Sequence, residues 1–151
     1  MIIDEYINRL SKINAPTFAY KTLYGKLPSP PISGREISHP TKKINGIEID
    51  KNVPTSVIKS LFKIPEIETR SSCEGQDQRH PTFLILRLMD RDEKAAKKFV
   101  QKMNNQKRVK CAYDIGQEKL PRICITWYTW CGNSDFEKWW VNLPLKIRKS
   151  L

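Results

Sequence analysis

The stretch Pro81-Thr82-Phe83-Leu84-Ile85-Leu86-Arg87-Leu88 decides the fold. Successive side chains of an extended chain point to opposite faces, so Phe83 and Ile85 share one face and Leu84, Leu86 and Leu88 share the other. A strand that is apolar on both faces is typical of the middle of a sheet covered on both sides. The pattern therefore predicts that Thr82 to Leu88 is a central core strand.

Downstream, the sequence predicts a helix, two strands and a second helix. The first helix runs from about Asp90 or Asp92 to Asn105, and two strands follow at Val109 to Ile115 and Arg122 to Trp130, paired antiparallel. The second helix begins at the capping-box sequence Ser134 to Glu137. Apolar residues with helical spacing mark the two helices: Ala95, Ala96, Phe99, Val100 and Met103 in the first, and Phe136, Trp139, Trp140 and Leu143 in the second.

Upstream, three regions precede the central strand. An apolar stripe predicts a helix over residues 2–13. Residues 14–52 contain prolines that predict an irregular segment, either a functional flap or a strap lying over the body, with aromatic residues that favour the strap and a short strand at Gly46 to Asp50. The body, residues 53–151, opens with a helix that starts near Pro54, followed by a strand from Glu66 to Arg70. We therefore predict one α+β domain over residues 1–151, with a mixed, mainly antiparallel sheet, helices on it and a long proline-rich N-terminal segment.

Charge and cysteine content limit the classes of function. The 151 residues include 27 Lys and Arg against 16 Asp and Glu, a net charge of +11 that favours polyanionic partners, although a lysine-rich surface also serves solubility alone. No apolar run approaches a membrane span and no signal peptide is apparent, so we expect a soluble, cytoplasmic protein without a membrane partner. The four cysteines form no Cys-x-x-Cys pair, so no metal site is predicted.

The polar loop between the two predicted strands is the main candidate site. Amides around Gly75 are able to form a concave anion site, to which hydroxyl, guanidinium and imidazole groups add donors. The predicted ligand-binding residues are Arg70, Ser71, Ser72, Cys73, Glu74, Gly75, Arg79 and His80. The alternative is a structural turn whose polar groups satisfy the nearby backbone.

Three residues are candidates for catalysis. Cys73 is a nucleophile if Arg70 or His80 lowers its pKa; otherwise it is an inert buried thiol. Both histidines stand in His-Pro-Thr, at His39 and His80, and paired His-x-Thr motifs are typical of two-histidine phosphoesterases, where one imidazole acts as base and the other as acid. The alternative is two unrelated turns before strands.

Two further patterns suggest a nucleic-acid surface. Lys94, Lys97, Lys98 and Lys102 lie opposite the apolar side of the first downstream helix, where they either guide a polyanion or are simply solvated. In the strand from Arg122 to Trp130, one face carries Thr126, Tyr128 and Trp130, on which bases stack unless the aromatic rings belong to the core.

Ser71-Ser72-Cys73-Glu74-Gly75 resembles a motif of two groups of proteins. It is similar to the Ser-Ser-Cys-Ser-Gly-Arg signature of the wybutosine-synthesis methyltransferase family, which modifies a guanosine beside the tRNA anticodon, and to the Ser-Cys-Glu-Gly-His of small uncharacterised bacterial and phage proteins. The resemblance covers Val53 to Leu88, and Glu74 and Gln76 depart from the methyltransferase signature. It implies methyl transfer to RNA with S-adenosylmethionine as cofactor.

These observations lead to a main hypothesis and two alternatives. The main hypothesis is a small basic protein that binds RNA or a nucleotide-like anion through the Ser71 to Gly75 loop. One version of this hypothesis is an enzyme that modifies the RNA. The first alternative is an interaction protein of phage or mobile-element origin that blocks an acidic host protein or sequesters a signalling nucleotide. The second is a two-histidine phosphoesterase.

Overall fold

The structure, a computed structural model, describes residues 13–115 and 119–151 and has an α+β fold, as predicted. The helix predicted for residues 2–13 lies outside the described residues except for Ile13. The elements in chain order are α1 (Ala15–Tyr24), β1 (Thr41–Ile44), β2 (Ile47–Asp50), α2 (Thr55–Phe62), β3 (Ile67–Cys73), β4 (Phe83–Leu88), α3 (Glu93–Asn104), β5 (Lys110–Ile115), β6 (Pro121–Thr126) and α4 (Phe136–Ser150).

The main sheet has the strand order β3-β4-β6-β5, and each of its strand pairs is antiparallel. Its strand β4 lies between two others, which confirms the prediction that the Phe83–Leu88 stretch is central. Phe83, at the start of β4, pairs with Cys73 of β3 on one side and Thr126 of β6 on the other. Strands β1 and β2 form a separate hairpin.

The core occupies both faces of the main sheet. On one face Leu84 and Leu86 belong to a large apolar cluster with α2, α3 and α4, in which Phe99 and Trp140 are buried. On the other face Phe83 and Ile85 pack in a smaller cluster with α1. The two faces predicted from the alternation in β4 are therefore both covered, one by α2, α3 and α4 and the other by α1.

The prediction that residues 14–52 form an irregular strap is wrong for α1. The Asn14 side chain accepts a hydrogen bond from the Thr17 amide at 2.9 Å, Pro16 sits in the first turn where no amide partner is needed, and Gly25 ends the helix with φ of 74°. Phe18 is buried against the sheet. The prolines that suggested a strap therefore stand at the ends of this helix and beyond it.

The strand limits differ from the prediction in three places. Strand β1 lies in the predicted strap, where it pairs with β2. Strand β3 continues through Ser71–Cys73, because an edge strand tolerates polar side chains and a register shift after Thr69 keeps it paired with β4. Strand β6 stops at Thr126, because the Thr129 amide donates to the Trp127 carbonyl and turns the chain.

The predicted capping box at α4 does not form in the expected way. The helix has Asp135 as its N-cap residue, but no side-chain hydrogen bond caps it. The Asp135 carboxylate accepts a hydrogen bond from the Thr129 hydroxyl at 2.8 Å instead. The contact ties the start of α4 to the segment after β6. Within the described residues, no helix combines the length and apolar character needed to cross a membrane.

We expect Phe99→Ala to lower the free energy of unfolding by about 3–5 kcal/mol, because the Phe99 ring is buried among α3, α4 and the sheet. Urea melts of the variant and the wild type measure the change. Lys98→Ala, one residue away on the exposed side of α3, is the control and should change stability by less than about 0.5 kcal/mol. Equal melts for Phe99→Ala and Lys98→Ala would place α3 outside the core.

Candidate functional site

The candidate site lies where β3 ends and β4 begins. The Glu74 residue, which follows β3, is only 4% exposed although it carries a carboxyl group. Around it converge the end of the β1–β2 hairpin, the segment that precedes β1 and the turn that follows β6. These three segments and the end of β3 therefore meet at one buried acid.

The Glu74 carboxylate is held by internal donors. Asn52 donates to it twice, from its backbone amide at 3.3 Å and from its side-chain amide at 3.0 Å, and His39 Nδ1 lies 3.9 Å from Glu74 Oε2. Burial alone raises the pKa of Glu74, but the hydrogen bonds from Asn52 and Cys131 and the nearby His39 together outweigh it, so the pKa is lowered. Glu74 is thus a buried, ionised carboxylate.

The amides around Gly75 point to acceptors within the protein. The Glu74 amide donates to Asp50 Oδ2 at 2.9 Å, the Gly75 amide to Cys73 Sγ at 3.4 Å, and the Gln76 amide to the His80 carbonyl at 2.8 Å. These are the amides predicted from the sequence to form an anion site. An anion can reach them only after these bonds break.

Gly75 is needed for both the angle and the spacing of this turn. Its φ is 76°, in the left-handed region, and a Cβ there would lie 2.6 Å from the Thr82 amide nitrogen and 2.8 Å from the His80 carbonyl oxygen. The turn is therefore a close approach of two backbone segments.

The remaining predicted ligand-binding residues divide between two clefts. Arg70, Ser71 and Ser72 border a cleft of about 160 Å³ between β3, β2 and α2, and the Arg70 guanidinium pairs with Glu68 at 2.8 Å. Cys73 and His80 border a second cleft, of about 40 Å³, beneath the segment that follows α1. The structure does not gather the predicted set into one pocket.

Arg79 and His80 connect this loop to the proline-rich segment. Arg79 donates to both carboxylate oxygens of Glu36, at 3.1 and 3.2 Å, and to the Pro30 carbonyl at 2.8 Å. The His80 ring lies between Asp77, 2.9 Å from Nδ1, and Glu36, which contacts Nε2. Hydrogen bonds from Arg79 and His80 lower the pKa of Glu36. Both residues therefore hold the strap against the loop.

Burial has the opposite effect on Cys73 from the one a nucleophile needs. Desolvation, together with the charges of Asp50 and Glu74, raises the pKa of the Cys73 thiol to about 12, against a smaller lowering by the Gly75 amide. Arg70, one of the two groups expected to activate it, pairs with Glu68. At neutral pH the side chain is a thiol.

The two His-Pro-Thr motifs have different surroundings. His39 lies beside Glu74, whereas His80 contacts Asp77 and Glu36. Ligand atoms of His39, Asp50 and Cys73 all lie within 4.8 Å of one another. Sequence reasoning missed Asp50, as well as Asn52 and Cys131, because no spacing rule relates positions so far apart in the chain.

Four aromatic residues, Tyr20, Tyr24, Tyr128 and Trp127, form a row at the end of the sheet where the polar loop lies. Ring centroids are 4.6 Å apart for Tyr20 and Tyr24, 5.9 Å for Tyr24 and Tyr128, and 4.9 Å for Tyr128 and Trp127. The Tyr24 hydroxyl donates to the Gln78 carbonyl at 2.5 Å, which joins this aromatic row to the polar loop. Tyr128 is 45% exposed.

Other parts of the predicted nucleic-acid surface lie elsewhere. Thr126 is buried and donates to the Thr82 carbonyl, and Trp130 is half-buried and takes no part in the aromatic row. Lys98 and Lys102 border a cleft of about 440 Å³ beside Leu88, at the opposite end of β4 from the loop, while Lys94 and Lys97 are exposed on α3. Lys98 and Lys102 thus lie at the end of β4 that is far from the loop.

Comparisons of the chain with protein-family models, with curated proteins and with solved structures gave no match.

We expect Gly75→Ala to destabilise the protein far more than Gly132→Ala. Both glycines have positive φ, but a Cβ at Gly132 meets nothing within 4 Å whereas one at Gly75 collides with backbone atoms. Gly132→Ala should cost about 1–2 kcal/mol from the backbone angle alone, and Gly75→Ala at least about 2 kcal/mol more. Urea melts measure both, and equal losses would show that the contact around Gly75 is loose.

We expect Cys73 to resist alkylation in the folded protein. With a pKa of about 12 rather than about 8.5 in an unfolded chain, its thiolate fraction at pH 8 falls by about 10³-fold. Iodoacetamide labelling followed by mass spectrometry of peptides, in buffer and in urea, measures the rate at each cysteine. Labelling of Cys73 in buffer as fast as in urea would identify a reactive thiol and restore it as a candidate nucleophile.

Proposed function

We propose that this protein binds single-stranded RNA on the aromatic row of Tyr20, Tyr24, Trp127 and Tyr128. The continuity of this row carries the proposal. Four rings from two distant segments are arranged so that each ring contacts the next, and the chain has a net charge of +11. Proteins that bind single strands combine aromatic rings, on which bases stack, with a positive surface that follows the phosphates.

The exposure of the row is suited to stacking. Tyr128 is 45% exposed, and Tyr20 and Tyr24 are half-buried, so each ring is fixed by its neighbours and still has a surface open to solvent. Rings held in place lose little conformational freedom when a base stacks on them. Each base stacked on such a ring contributes about 1–3 kcal/mol.

Positive charge lies beside the row. Lys21 and Lys26 are exposed in and just after α1, and Lys110, at the start of β5, pairs in register with Thr126, the neighbour of Trp127. Arg79 forms an ion pair with Glu36, so we assign the phosphate contacts to these three lysines. Long, flexible lysine side chains of this kind are suited to following phosphates that run along the row.

The cleft beside the loop is too small for a mononucleotide, which favours an extended strand as the ligand at this end of the sheet; the larger cleft, of about 440 Å³, lies at the other end of β4. Pockets that enclose small ligands usually have volumes of about 300–1,000 Å³. The cleft at Cys73 and His80 measures about 40 Å³, and the amides beside it have internal acceptors. A single strand on an open surface needs neither an enclosed pocket nor free amides.

We expect Tyr128→Ala to weaken binding of a fluorescently labelled single-stranded RNA by about 1–3 kcal/mol, measured by fluorescence anisotropy at low salt, because one stacking surface is lost. Leu145→Ala is the matched control: Leu145 is an exposed apolar side chain on α4, 58% accessible, and its loss should leave affinity unchanged. The logarithm of the binding constant should fall with the logarithm of salt concentration with a slope of about −0.7 for each phosphate neutralised.

Two outcomes would overturn the proposal. Undetectable binding to RNA at low salt would overturn the RNA proposal and would favour an acidic protein as the partner of the basic surface. Equal losses for Tyr128→Ala and Leu145→Ala, with a steep salt slope, would show that charge alone binds RNA and that the aromatic row has no part in it.

A further inference from the structure

We propose that His39, Asp50 and Cys73 form a binding site for a divalent transition-metal ion such as Zn²⁺. Their ligand atoms, one imidazole nitrogen, one carboxylate oxygen and one thiol sulfur, all lie within 4.8 Å of one another. This site does not depend on RNA binding, and it uses none of the residues of the aromatic row.

The spacing fits a small cation. With bonds of about 2.0–2.3 Å to nitrogen, oxygen and sulfur in tetrahedral geometry, ligand atoms around Zn²⁺ lie about 3.3–3.8 Å apart. Since 4.8 Å is the upper limit of the present separations, the three atoms need to close by at most about 1.5 Å. An imidazole and a thiolate select zinc-class ions over Mg²⁺ and Ca²⁺, which prefer oxygen ligands.

His39 supplies an independent observation. Its Nε2 atom is buried and has no hydrogen-bond partner among the described residues, while Nδ1 lies 3.9 Å from Glu74 Oε2. Buried polar atoms in proteins nearly always have a partner, so an imidazole nitrogen without one needs an explanation. A metal bound at Nε2, with the Glu74 carboxylate beside Nδ1, provides that explanation.

The turn at Gly75 orients the other two ligands. The Glu74 amide donates to Asp50 Oδ2 and the next amide, of Gly75, donates to Cys73 Sγ. Hydrogen bonds of this kind from the surrounding backbone fix the direction of metal ligands in proteins. The Cys-Glu-Gly sequence thus has a role here that differs from an anion site: consecutive amides position a carboxylate and a sulfur toward the same point.

The negative groups at this site suit a doubly charged cation. The Cys73 thiol loses its proton to solvent as the sulfur–metal bond forms, so a doubly charged cation meets one thiolate and one carboxylate. Glu74 and Cys131 lie beside the three ligands, and Cys131 is hydrogen-bonded to Glu74. The fourth position belongs to one of these two groups or to water.

Metal titration of the chelator-treated full chain tests the proposal. We expect one Zn²⁺ per chain, and Co²⁺ in the same site should show the absorption that arises from a cobalt–thiolate bond. His39→Ala and Cys73→Ser should each weaken Zn²⁺ binding by at least about 100-fold, since loss even of groups that only support a ligand costs about 10–100-fold. Glu74→Gln and Cys131→Ser then show which group completes the coordination.

His80→Ala is the matched control, because it removes the other imidazole, which lies between Asp77 and Glu36, while Arg79 still holds Glu36 and Pro30 through its own hydrogen bonds. It should bind Zn²⁺ as tightly as the wild type. The proposal is overturned if the wild type binds no Zn²⁺ with micromolar or better affinity, if His80→Ala and not His39→Ala abolishes binding, or if bound Co²⁺ shows no thiolate absorption. Should Cys73→Ser fail to fold, the thiolate absorption in Cys131→Ser decides: its persistence supports Cys73 as the ligand, and its loss overturns that assignment.

Discussion

The burial of the Glu74 carboxylate is the constraint on which the arrangement of this end of the molecule depends. Moving a carboxylate out of water costs several kcal/mol unless donors replace the lost hydration. Asn52 supplies two of them, and His39 supplies a nearby imidazole. Because these residues belong to the β1–β2 hairpin and the segment before it, the acid fixes both against the main sheet.

Other bonds of the same turn extend that constraint. The Glu74 carbonyl accepts from the Cys131 amide, which fixes the segment after β6. Thr82 donates from its hydroxyl to the Cys73 carbonyl at 2.7 Å and accepts from the Trp140 indole at 3.0 Å, which joins the sheet to α4. These buried polar groups are all paired, so they specify one arrangement of the surrounding segments.

The two proposed activities use neighbouring surfaces of this region. The aromatic row contacts the polar loop through the Tyr24 hydroxyl and the Gln78 carbonyl, and the proposed metal ligand Cys73 stands just before the same loop. Glu36, Arg79 and His80 hold the strap over it. A metal at His39, Asp50 and Cys73 would join the segment before β1, the end of β2 and the end of β3, and so stiffen the support of the loop that the aromatic row touches.

The sequence by itself determined the elements whose pattern is local. The alternation in Phe83–Leu88 specified a central strand with two covered faces, and the spacing of Ala96, Phe99 and Met103 specified α3, because burial on one face must recur with the period of the element. Helix α1 was missed although Asn14, Pro16 and Gly25 are local signals of a helix start and end, because the prolines that follow it are typical of an irregular segment.

Only the tertiary structure decided the conformation and hydrogen bonds of the Ser71 to Gly75 segment. From the sequence, Ser71 to Gly75 appeared as one loop with free amides, but pairing with β4 draws Ser71–Cys73 into the edge strand, and Asp50 and Cys73 accept the amides that follow. His39, Asp50 and Cys73 come together because the hairpin folds back on the end of β3, and Tyr24 meets Tyr128 because α1 lies on the sheet. Such neighbours leave no periodic signal in the sequence, since long-range contacts are set by how whole elements pack and not by spacing along the chain.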